Sequence, residues 1–205
     1  PEVGMLYGNA RYWFSWSGRS EDTNRDYFPV MGIAPDSILL PPAFVIRLIA
    51  GNIAVPCTCS VIVRRDVVER VGGFDELPTM YDDQRFYARV ALAEPVMVSD
   101  VCWDWYRQHP ASTTAAAAGK GQVRAQHFIF LEWLKRECAE VGVQDEEVWI
   151  ALRRQRWYYR EPVWLASYPA ATWFVRRLRK AMGRVEKMLP SFVRRHLWSR
   201  RDGQH

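Results

Sequence analysis

Acidic residues are nearly missing from the last quarter of this chain. Residues 151–205 hold three Asp or Glu against 14 Lys or Arg, a net of +11, while residues 1–150 hold 20 against 14, a net of −6. The overall charge of +5 therefore belongs to the tail and not to the core-forming part. No run of about 18 apolar residues occurs, which excludes an outright membrane-spanning helix, and no signal-peptide pattern is visible. Cysteine is scarce, with four residues in 205. Cys57-x-Cys59 lacks the two-residue spacing of a zinc knuckle or a thioredoxin-like pair, and no His lies near it. The four therefore read as buried thiols of a reducing compartment. No internal repeat is present.

What is there is globular. The chain is 49% hydrophobic and 25% charged, a balance that argues against disorder, and its length suits one or at most two domains. Ten tryptophans favour stacking surfaces or an interfacial belt.

In chain order, Val3–Tyr7 and Tyr12–Trp16 read as two strands, with Gly8-Asn9 as the turn between them. Residues 17–37 read as a long loop, of a length that is often functional. Pro41-Pro42 predicts the opening of a helix through Ala50, closed by Gly51-Asn52. Thr58–Val63 reads as a short buried strand. Val67, Val68 and Val71 mark a helix that ends at Gly72-Gly73, as expected where the backbone must turn left-handed. A loop with Asp75 and Glu76 follows, and then a helix from Asp82 to Leu92 with Phe86, Tyr87 and Val90 behind its paired acids. Carboxylates there complement the positive helix end, so capping is the plain reading of Asp82 and Asp83.

Val96–Val98 and Val101–Arg107 read as further strands, the second bearing Trp103 and Trp105, which are more often core than ligand-stacking platforms. The Ala115–Ala118 run with Gly119 and Gly121 reads as a flexible junction. Beyond it the pattern turns helical. Phe128, Leu131, Trp133 and Leu134 form one apolar face, a second helix runs from Asp145 to Arg160, and Pro162 breaks it. Two basic helices are then expected at Val163–Met182 and Arg184–Trp198.

The order of these pieces resembles a known family. Ser60-Val61-Ile62-Val63-Arg64-Arg65, Gly72-Gly73-Phe74-Asp75-Glu76, Asp82-Asp83-Gln84-Arg85-Phe86-Tyr87-Ala88-Arg89 and Tyr106-Arg107-Gln108-His109-Pro110-Ala111-Ser112 are similar to the C-terminal half of family 2 glycosyltransferases of the GT-A fold. The resemblance covers about residues 1–113, including Pro1–Gly8. It implies an α/β fold: a partial GT-A sheet with helices, of the nucleotide-diphospho-sugar transferase type, followed by an α-helical region. The boundaries expected are 1–118 for the acceptor-side part and 119–205 for a helical basic extension. Three departures count. Asp82 stands where the family carries Glu. The family's aspartate-rich metal motif and nucleotide-binding strands are not among these residues, so the chain is expected to be a fragment with little transferase activity alone. The Gln-x-x-Arg-Trp motif of processive members is also missing, since Gln155-Arg156-Trp157 lacks the gap.

The resemblance implies transfer of a sugar from a nucleotide-sugar to an acceptor hydroxyl with inversion, in cell-surface glycan or glycolipid synthesis. Asp83 is then the general base, with Asp82 supporting it or touching the acceptor. Gly72, Gly73, Phe74, Asp75, Glu76 and Arg107 would bind substrate. A divalent cation, Mg or Mn, would offset the leaving diphosphate, with its main ligands in the missing part and His109 approaching it. Arg89 reads as a structural ion-pair partner of a nearby acid. The acceptor is expected to be a glycan or a lipid-linked sugar.

In the tail, Val163, Trp164, Leu165, Trp173, Phe174, Val175, Leu178 and Met182 interleave with Arg176, Arg177, Arg179 and Lys180. Leu189, Phe192, Val193, Leu197 and Trp198 do the same with Arg194, Arg195, Arg200 and Arg201. Such helices suit an anionic membrane surface through 163–205, and the protein is expected to be cytoplasmic and peripheral at the inner face of the plasma membrane. Solvated helical faces are the plainer reading. Nucleic acid is disfavoured, because no nucleic-acid motif accompanies the charge. The rival to an enzyme is a non-catalytic membrane- or partner-binding module that keeps a GT-A remnant.

Overall fold

The computed structural model describes residues 2–76, 80–160 and 169–199. It is an α/β protein built on an open, mixed sheet of four strands in the order β2-β4-β1-β3. The centre of the sheet is β1 (Met5–Trp13) paired in parallel with β4 (Val96–Arg107). β2 (Ser37–Leu39) runs antiparallel to β4, and β3 (Val61–Val63) antiparallel to β1.

Where two strands were expected around Gly8-Asn9, there is one. Gly8 is not a turn residue: a Cβ there would lie 2.5 Å from the ring of Trp103, so the position is kept bare by a side chain crossing the backbone. β4 is likewise continuous from Val96 rather than split, pairing with β1 along its whole length. The register shifts between Tyr7 and Ala10 absorb the surplus residues of β4 as a bulge. Thr58–Ser60 is a 3-10 turn, leaving β3 only three residues long and half-exposed.

Helices follow the expected signals more closely. α1 (Ala43–Ala50) ends at Gly51 with φ 64°. α2 (Arg65–Val71) ends at Gly72, and α3 (Asp82–Ala93) starts at the paired acids. The alanine run is a helix, α4 (Thr113–Gly119), and not a flexible junction. Alanine is the strongest helix former, and the Ser112 hydroxyl caps the first turn by accepting the Ala115 N–H at 3.2 Å. α5 (Val123–Glu140) and α6 (Glu146–Tyr159) pack on one another, with α1 against α6 and α3 against α5. One core results, joining Met5, Tyr7, Val96 and Val98 of the sheet to Phe44, Tyr87, Phe130, Leu134 and Leu152 of the helices. It draws on residues from both sides of position 119.

The tail forms α7 (Pro169–Met188) and α8 (Ser191–Ser199). The break falls at Leu189-Pro190 and not at Gly183, which continues inside α7 because it lies against the Tyr158 ring, 3.7 Å from where a Cβ would be. The expected start at Val163 and the break at Pro162 lie outside the described residues, as do Trp164, Leu165, Arg200 and Arg201. Among the described residues no helix is long and apolar enough to cross a membrane.

Candidate active site

The segment from Gly72 to Asp83 divides into two parts with different surroundings. Gly72 (φ 82°) and Gly73 (φ 66°) close α2, the Gly73 N–H bonding back to the Val68 carbonyl at 3.1 Å. A Cβ at either would meet nothing within 4 Å, so the left-handed backbone, and not lack of room, demands glycine. Phe74 lays its ring 4.4 Å from that of Phe86. Asp75 binds Arg85 at 3.1 Å and Arg89 at 2.5 Å. Burial pushes the Asp75 carboxyl up, but the two guanidiniums outweigh it and hold the group below the ordinary carboxylate range. Glu76 is exposed. These five residues form a clasp between α2 and α3, and none of them lines the cleft described next.

Asp83 does line it. A cleft of about 1020 Å³ opens between the start of α3, the chain after β4, residues 12–25 and the Val55–Cys59 segment. Asp83 sits half-buried in the first turn of α3, one carboxylate oxygen accepting the Gln84 N–H at 2.7 Å. Tyr81 at the N-cap position offers no side-chain cap, so this bond is part of how the helix start is satisfied. Even so, burial raises the Asp83 carboxyl above its ordinary range, with the neighbouring Asp82 adding to the rise. Asp82 is half-buried beside it and is not among the cleft residues.

Beyond Arg107 the chain leaves the sheet and brings Gln108 and His109 to the cleft wall. The ring of Trp16 stands edge-on to His109, 6.5 Å between centroids, and the Trp16 indole N–H is held by the Gln108 carbonyl at 2.9 Å. Arg107 itself lies outside the lining, with its guanidinium over the rings of Trp13 and Trp16 at 5.7 and 5.8 Å. It buttresses Trp16, which then presents a fixed, partly exposed aromatic face to the cleft.

Residues 15–26 shape the opposite rim. Asp22, only 2% exposed, accepts the Ser17 hydroxyl at 2.7 Å and binds both Arg19 at 2.9 Å and Arg25 at 2.6 Å. The Ser17 hydrogen bond leads the causes that keep Asp22 below the usual carboxylate range. Asp26 is held down to about 2, first by the Ser15 backbone N–H. Arg19 and Arg25 gather on Asp22, and Glu21 lies 3.7 Å from Arg19, so the cations of this rim are already paired with acids.

Sequence pattern singled out Asp83 and His109, and the structure brings both to one cleft. Trp16, Arg19 and Arg25 were missed. They lie in a stretch read only as strand end and loop, and no periodicity marks a rim. Trp103 and Trp105 do not line the cleft: Trp103 covers Gly8, and Trp105 lies beneath the guanidinium of Arg11 at 4.7 Å.

Among the described residues no group of three or more His, Cys, Asp and Glu side chains gathers as a metal site. In the cleft, Asp22 is committed to arginines, and His109 has the edge of Trp16 beside it. These residues do not by themselves fit a divalent cation. Cys57 and Cys59 line the cleft as free thiols, and burial pushes Cys57 up to about 12, so it stays protonated and unreactive.

Fold and site together define an α/β protein with an open mixed sheet and a large cleft bearing one acid of raised pKa. Compared with known protein families, curated proteins and solved structures, the chain matches none.

Proposed function

We propose that this chain is the acceptor-side part of a glycosyltransferase similar to family 2 enzymes of the GT-A fold. It would move a sugar from a nucleotide-sugar to a hydroxyl of a glycan or lipid-linked acceptor, on the cytoplasmic side of the plasma membrane. The observation that carries the reading is Asp83. An acid at a helix start, half-buried in a cleft large enough for a sugar acceptor and with no arginine partner among the described residues, is suited to accept a proton. The four motifs quoted from the sequence support the same reading.

On this reading the acceptor hydroxyl approaches Asp83 while its sugar rests on Trp16. The oxygen attacks the anomeric carbon as the bond to the departing diphosphate breaks, and the hydroxyl proton passes to the Asp83 carboxylate. A single displacement of this kind inverts the anomeric centre. The raised pKa makes Asp83 a stronger base than a solvated carboxylate, and fixing the acceptor supplies the rest of the advantage. The nucleotide-binding strands and the main ligands of a divalent cation are not assigned to these residues, and no step above depends on them.

The test is release of nucleoside diphosphate from a panel of nucleotide-sugars by the complete gene product, comparing wild type with Asp83→Asn. Loss of release with donor binding retained is expected. Equal release by both proteins sinks the assignment of the base. No release from any donor, with or without candidate acceptors, favours the non-catalytic binding module.

A further inference from the structure

Helix α7 is turned the opposite way from a helix that packs on a protein core. Its inward side is polar. Arg179, Gly183 and Glu186, spaced four and three apart, face α6: Arg179 binds the Arg160 carbonyl and stacks on Trp157, Gly183 meets Tyr158, and Glu186 is buried. Glu186 accepts from the Tyr158 hydroxyl, from Arg154 at 3.3 Å and from the Trp198 indole N–H at 3.0 Å. The outward side is apolar. Phe174, Leu178, Met182 and Val185 follow at helical spacing, with Phe174 60% and Val185 59% exposed, and Phe192 of α8 is 68% exposed.

Protein should face the apolar stripe of such a helix, and here that stripe is left outward while Glu186 is turned in. An apolar surface of this kind marks a docking site. Its charge selects the occupant. Arg177, Lys180, Arg184 and Lys187 are exposed along α7 next to the stripe, and the one acid of α7–α8, Glu186, is turned inward. Two copies meeting through this face would bring these cations together with no acid to offset them. An anionic lipid surface offsets them, while the long Lys and Arg stems reach up to the headgroups and Trp173 sits at the boundary.

We propose that α7 and α8 lie in the plane of an anionic bilayer, with Phe174, Leu178, Met182, Val185 and Phe192 inserted among the acyl chains. The polar cluster around Glu186 fixes the angle at which the rest of the protein stands on that surface. This docking is independent of the transferase reading, because it requires neither donor nor acceptor.

The experiment is flotation of the full chain with vesicles of phosphatidylcholine alone or phosphatidylcholine mixed with phosphatidylglycerol. Wild type should float with the mixed vesicles and lose most of that binding in high salt. Leu178→Ser with Met182→Ser should reduce binding at least tenfold while circular dichroism stays unchanged, since both side chains are exposed. Arg177→Gln and Arg184→Gln should each weaken binding roughly fivefold on mixed vesicles only. Failure of wild type to float, or equal flotation by the apolar variant, overturns the proposal. So does a dimer that the apolar variant dissolves, which would assign the face to a second copy.

Discussion

Asp75 and Asp83 lie eight residues apart in sequence, yet they belong to different parts of the molecule. Asp75 is clasped by Arg85 and Arg89 and held below the ordinary carboxylate range. Among the described residues Asp83 has no arginine within bonding reach, and burial raises it. The Gly72–Glu76 loop spends its polar groups on fastening α2 to α3, and the start of α3 leaves its acid facing a cleft. A carboxylate fully served by cations is a poor base and a good fastener. One short of partners is the reverse.

The widest separation between the two should appear in turnover. Asp83→Asn is expected to lower sugar transfer by about 10²–10⁴-fold, the usual range for losing a general base, with the melting temperature at neutral pH no lower than wild type. The folded chain binds the Asp83 proton more tightly than the unfolded chain. Its contribution to stability therefore declines as pH rises from the ordinary carboxylate value through the raised one, and Asn removes that decline. Asp75→Ala should do the opposite. Transfer per folded molecule stays unchanged, while urea unfolding shows a loss of about 2 kcal/mol as Arg85 and Arg89, both mostly buried, lose their counter-ion.

A pH–rate profile sharpens the contrast. If Asp83 is the base, transfer falls as pH drops through a value above the usual carboxylate range, because protonated Asp83 cannot take the hydroxyl proton. A limb below that range would point to a base with the electrostatics of Asp75. The smallest effect is expected at Phe74, whose ring is 51% exposed against Phe86. Phe74→Ala should cost about 1 kcal/mol in unfolding and nothing in transfer.

The sequence made the helices legible because their signals are local. Gly51 and Gly72 stop α1 and α2, Asp145 caps α6 by accepting the Glu147 N–H at 2.8 Å, and the apolar spacing of α3 repeats in its buried residues. Apart from α4, where the flanking glycines mask the local alanine signal, what failed was non-local. Gly8 has turn chemistry by composition, and only the ring of Trp103, far along the chain, shows that it is strand. The Gly72–Glu76 motif looked like substrate contact, but the arginines that engage Asp75 lie one and two turns into the next helix. Trp16 owes its place on the cleft rim to the Gln108 carbonyl, which no window around residue 16 contains, while Arg19 and Arg25 each bind Asp22 three residues away in an irregular stretch without periodicity.

The bulge between β1 and β4 also bears on where this chain can change length. From Met5 to Trp13, β1 keeps pace with β4 from Val96 to Arg107, although β4 uses three more residues to cover the same span. The surplus is taken up around Ser99–Trp103, where Trp103 folds over Gly8. A residue gained or lost elsewhere in β4 would swap the faces of every side chain up to Tyr106 and misplace the cleft wall. One gained or lost at the bulge needs only a different curl of backbone. Insertions tolerated by this protein are thus expected at Ser99–Val101 and in the loop before β2, and nowhere along the paired ends that hold Val96 and Arg107 in step with β1.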